Sequence, residues 1–208
     1  MKRLALTVFA LVALALPTAA RAQDATPAAG GDVPAPEECT IEPISVDHLT
    51  QLLGTPVPEV VATPAASPTP FAMPEGTPAD EATVAEITAA VRQFIACLNA
   101  GDLPRVLALY TDRAIVELFL APIGGEATAQ QILDALGAPE VVPEDQRTVL
   151  ISVDDVRVLP DGRIAALITG DDRSNPRPAG PALIFFVEVD GRWLVDGFIP
   201  TEDIVLTE

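Results

Sequence analysis

Cationic and aromatic side chains are scarce in this chain of 208 residues. Lys2 is its only lysine and His48 its only histidine, Cys39 and Cys97 are its only cysteines, and aromatic residues make up 4%. A single histidine excludes histidine-based zinc sites and argues against Ser-His-Asp chemistry, since each needs an imidazole beside its partners. No loop has the oxygen-ligand spacing of a calcium hand, so neither a metal nor a cofactor is expected. Beyond the N-terminus no stretch is long and apolar enough to cross a bilayer.

Charge of one sign is abundant instead, with 30 acids against 12 cations. The first residues, MKRLALTVFALVALALPTAARA, combine Lys2 and Arg3, a short apolar run and an Ala20-Arg21-Ala22 cleavage site. They read as a secretory signal peptide over residues 1–22, which makes the protein secreted or extracytoplasmic and bacterial in type. Removing Lys2, Arg3 and Arg21 from the 12 cations leaves 9 against 30 acids, a net charge of −21. Such a surface repels phosphate backbones and anionic headgroups, so no nucleic-acid or membrane partner is expected. Outside the cytoplasm two thiols usually pair, which predicts a Cys39–Cys97 disulfide, with two free thiols as the alternative.

Composition divides the rest of the chain. Residues 23–37 hold Ala, Pro, Gly and acid with few large apolar groups and read as disordered. Residues 38–53 regain Ile41, Ile44, Leu49 and Leu52 and read as a docking segment, with Ser45 capping a short helix through Leu53. Residues 54–79 form a Pro/Thr/Ala-rich linker. The folded domain occupies residues 80–206, a length that supports one core.

Within that domain, Val84, Ile87, Val91, Phe94 and Leu98 recur at helical spacing and form one apolar stripe. Gly101 closes this helix, and Asp102 with Pro104 opens the next. Ala114 to Leu120 reads as a strand and Ala129 to Leu136 as a short helix. Four strands are predicted over Arg147–Leu159, Arg163–Gly170, Pro181–Val189 and Arg192–Ile199, two of the turns being Asp161-Gly162 and Asp190-Gly191. The fold class is α+β. In the third of these strands both faces are apolar, so the sheet needs cover on each side.

The block from Ala90 to Tyr110, AVRQFIACLNAGDLPRVLALY, followed by this order of elements, resembles the nuclear transport factor 2-like superfamily, which includes ketosteroid isomerases and SnoaL-like polyketide cyclases. The resemblance implies a cone-shaped, curved antiparallel sheet wrapped around a long N-terminal helix, with two shorter helices and a pocket at the open end. It also implies a homodimer through the sheet, although the chain's own N-terminal segment is an alternative cover.

Aligned on this block, the isomerase oxyanion tyrosine falls at Phe94, its carboxylate base at Leu118 and its second acid near Phe185. None of the three can donate to an enolate or remove a proton. Glu117 beside Leu118 faces away if residue 118 is inward on a strand. The dehydratases of the superfamily use histidine, and His48 lies outside the domain. An Asp–Arg–Asp arrangement like that of the epoxide hydrolase branch has candidates in Asp112, Arg113, Asp171, Asp172, Arg173 and Asp196, the last read as an outward strand position. What remains is an apolar pocket lined by Phe94, Tyr110, Leu118, Phe185 and Trp193, with Tyr110 as polar handle, or else aromatics that fill the core. The reading is a non-catalytic module binding a hydrophobic small molecule or a protein. The alternatives are a small hydrolase or cyclase using Asp and Arg, and a structural dimerisation domain.

Overall fold

The computed structural model describes residues 31–54, 73–123, 127–174 and 180–199. The expected signal peptide, residues 23–30, most of the expected linker and the residues after Ile199 lie outside the described residues. The architecture is mixed α+β, with a five-stranded antiparallel sheet and several helices.

Helix α1 spans Val46–Leu53, and the Ser45 hydroxyl accepts the His48 N–H at its start. Helix α2 spans Glu81–Asn99 and begins at Asp80, whose carboxylate accepts the Thr83 N–H at 2.8 Å. That bond lowers the pKa of Asp80. Along α2, Ile87 and Val91 are buried and Val84, Phe94 and Leu98 pack against the core, as the spacing predicts. Ile95, Ala96 and Cys97 are buried too, so the covered stripe is wider than the sequence pattern. Gly101 takes a φ of +62°, and a Cβ there would sit 1.9 Å from the Glu140 carbonyl oxygen, so both conformation and space demand glycine. Asp102 then caps α3, Leu103–Leu107, with Pro104 in the first turn.

The expected strand over Ala114 to Leu120 is absent. The Thr111 hydroxyl caps a continuous helical run instead: α4 (Asp112–Ala114), a wide π turn (Ile115–Leu120) and α5 (Ala121–Ile123). A short, nearly unbroken apolar run has no period to separate a strand from a buried helix. Here Ala114, Ile115, Val116 and Leu120 are all buried on the helical path. Helix α6, Ala129–Leu136, carries a Thr128/Gln131 capping box and lies where the sequence placed it.

The sheet order is β1-β2-β3-β4-β5: Thr77–Pro78, Thr148–Val158, Ile164–Asp172, Gly180–Val189 and Arg192–Ile199. At the Asp190-Gly191 turn both residues have positive φ, 52° and 74°. At the other turn only Gly162 does, and Asp161 instead receives the Arg163 N–H and Nε–H. Ile164, Ala166, Ile168, Phe186 and Val195 join α2 in the main core. Leu159, Ala165 and Leu183 form a smaller cluster with Met73, Phe185 and Ile199 on the other face.

The N-terminal part is fixed earlier than composition suggested. Disorder was expected through residue 37, yet Asp32 exchanges two backbone bonds of 2.7 Å with Leu150, and the Pro34 side chain is fully buried. Backbone pairing and one proline anchor this stretch, which a count of large apolar side chains does not register. Buried Asn99 ties three pieces together: its amide donates to the carbonyls of Pro34 and Thr148, and its oxygen accepts the Thr148 N–H. Cys39 and Cys97 form a disulfide, Cα to Cα 4.7 Å, and both are buried. Closing this loop restrains the unfolded chain by ~4 kcal/mol on the chain-entropy estimate. The segment enters the main core through Cys39, Ile41, Ile44, Leu49 and Leu52. At the end of the linker, Thr77–Pro78 pairs with Val158 and Arg157 as an edge strand, a position that tolerates proline.

Candidate functional site

The five residues expected to line a single pocket are divided by the sheet. Phe94 and Tyr110 meet edge to face at 5.6 Å, and Tyr110 and Phe119 at 5.0 Å. With Leu118 they pack in the main core, so these rings fill space. Burial pushes the Tyr110 phenol up to about 12. Leu118 is on the π turn, not a strand, so the alignment that gave it the catalytic-base position has lost its structural footing. Its neighbour Glu117 accepts from Arg113 at 2.5 Å. Phe185 lies in the second-face cluster, under the Arg163 guanidinium at 5.3 Å from the ring centre. Trp193 is half-buried, and its indole N–H donates to Glu86 at 2.9 Å.

Open space occurs instead at the β5 edge of the sheet. The Leu109–Thr111 strip runs alongside β5, Val195 donating to the Leu109 carbonyl and accepting from Thr111 N–H. Between this strip, the outer ends of β4 and β5 and residues 42–48 of the N-terminal segment lies a cleft of about 750 Å³. Ile44, Val187 and Leu194 give it apolar surface, and Tyr110 reaches its wall. A narrower cleft of about 330 Å³ opens beside it, lined by Ala89, Ala90 and Trp193 and sharing Arg192 and Leu194 with the first.

The polar centre of the wide cleft is Asp196. Pairing along β4 and β5 jumps from Phe185↔Gly197 to Phe186↔Val195, which leaves Asp196 as the extra residue of a β-bulge. A bulge re-aims a side chain that simple alternation would send elsewhere. Asp196 is therefore buried, not outward as the sequence suggested. One carboxylate oxygen accepts from the Thr111 hydroxyl at 2.8 Å, and the other accepts from Arg113 at 2.6 Å and lies 3.6 Å from Arg163. Arg113 also donates to the Asp196 backbone carbonyl. The bond to Asp196 is the main reason the Arg113 pKa is raised further.

His48 and Asp112 approach across the cleft wall, Nε2 to Oδ1 2.8 Å, so the lone histidine joins the N-terminal segment to the domain. Of the six Asp and Arg candidates, Asp112, Arg113 and Asp196 meet here. Asp171, Asp172 and Arg173 sit at the distal end of β3, where Asp171 faces Arg173 at 3.8 Å and Asp172 holds Ser174. Among the described residues no group of three His, Cys, Asp or Glu side chains is arranged to hold a metal ion, and no helix is long and apolar enough to cross a membrane. Comparison with family models, with curated proteins and with solved structures gives no match.

Proposed function

We propose that this protein is an exported, non-catalytic binding module of the nuclear transport factor 2-like type that takes an apolar small molecule in the cleft beside β5. The observation that carries the reading is the state of the cleft's polar groups: the Asp196 carboxylate is already held by Thr111, Arg113 and Arg163, and His48 by Asp112. These bonds stiffen the site and turn the Asp196 oxygens toward protein donors. Ile44, Val187 and Leu194 supply the surface an apolar ligand requires. In this reading the sheet curves as a cone around α2, and two copies pair through the second face, where Leu183 and Phe185 lie. The leader over residues 1–22 and the Cys39–Cys97 disulfide support export.

Native mass spectrometry of the protein from its source tests ligand and dimer together. A retained mass above that of the polypeptide and a doubled species are expected. A bare monomer that also fails to bind an aliphatic probe such as octanol sinks the reading. The convergence of Asp112, Arg113 and Asp196 favours a second reading, a small hydrolase or cyclase. Turnover of ester or epoxide substrates that Asp196→Asn abolishes, with the fold retained, would replace the first reading by this one.

A further inference from the structure

We propose that Arg192 is the anion-recognising residue of this site and that the ligand is an aliphatic molecule carrying one carboxylate; the inference rests on the binding-module reading. Among the described residues Arg192 is the exception among arginines. Six others form ion pairs with carboxylates, and Arg147 donates to the Val142 carbonyl. Among the described residues Arg192 has no such partner, and it is exposed where the two clefts meet.

Its surroundings supply the other half of a head-and-tail site. Arg192 stands opposite Val189 in the hairpin register, and Leu194 stands opposite Val187. Residues two apart on a strand share a face, so the guanidinium adjoins a strip formed by Val187, Val189 and Leu194. A guanidinium binds a carboxylate through two parallel N–H bonds, which favours that group over an alcohol of the same length. Glu42 and Asp190 also line the wide cleft and limit the ligand to a single negative charge. The acidic surface farther away matters less than this contact, because salt screens charges beyond ~8 Å at physiological ionic strength.

Calorimetric titration of the full oxidised protein with octanoate, octanol and octylamine tests the assignment. Octanoate is expected to bind about tenfold more tightly than octanol, and Arg192→Gln, at an exposed position, to remove that difference by weakening octanoate about tenfold. Octylamine binding as tightly as octanoate, or octanoate affinity unaffected by Arg192→Gln, overturns the assignment. Equal affinity for octanoate and octanol overturns it while leaving the binding-module reading intact. Failure of all three probes to bind removes both.

Discussion

Two groups of aspartate and arginine in this molecule have the same chemistry and opposite circumstances. At the β5 edge, Asp196 is buried and held by Thr111, Arg113 and Arg163. At the distal end of β3, Asp171 faces Arg173 at 3.8 Å with both side chains about 39% exposed. Residue types are shared; burial differs. Removing a partner from a buried, saturated set leaves an uncompensated charge, whereas removing one from a solvated pair returns both groups to water.

The sharpest way to break the contrast is Asp196→Ala. It strands the buried Thr111 hydroxyl and removes the carboxylate that Arg113 and Arg163 share, leaving a gap at the bulge, and a loss of about 3 kcal/mol in denaturant-unfolding free energy is expected. A loss below about 1 kcal/mol would mean that the bulge, not the carboxylate, holds this edge.

Next in size is the effect of alkali on Tyr110, which lines the same cleft. The phenol has an ordinary pKa of about 10 when unfolded and about 12 when folded. Folding therefore favours the neutral form: the contribution is complete below pH 10 and is lost as pH rises from about 10 to 12. Its size is about 2–3 kcal/mol from the usual conversion of pKa shift to free energy. Because Tyr110 is the only tyrosine, ultraviolet absorbance of the phenolate reads this one site. A midpoint near 10 in the folded protein would contradict the packing of Tyr110 between Phe94 and Phe119.

Thr111→Val should follow, costing about 1–2 kcal/mol, because the side chain caps the helical run as well as bonding Asp196. Asp171→Asn should lie within about 0.5 kcal/mol of the parent in thermal unfolding. A larger effect there than at Thr111 would reverse the comparison.

Much of this arrangement could be read from residues alone, for identifiable reasons. The α2 stripe, the Gly101–Asp102 punctuation, the Asp190-Gly191 turn and the Cys39–Cys97 pair depend on local spacing or on a choice between two cysteines. Ala114 to Leu120 could not be read in the same way, since its choice of helix over strand comes from tertiary cover and from the Thr111 cap. Asp196 was hidden for a related reason: a one-residue bulge changes which way a side chain points while leaving every hydrophobic count unchanged. The expected pocket failed as a unit because Phe185 is on the second face, whereas Phe94, Tyr110 and Leu118 are on the first. The cleft itself depends on residues 42–48 packing across from the hairpin end, a long-range meeting that no local pattern encodes.

The disulfide has a consequence for the timing of site construction. One wall of the cleft begins three residues after Cys39, and its nearest covalent tether to the folded body is the bond to Cys97 on α2. In a chain kept among thiol reductants that wall would be placed by non-covalent contacts alone, the packing of Ile41, Ile44, Leu49 and Leu52 and the Asp32–Leu150 pairing, and oxidation would add the covalent hold.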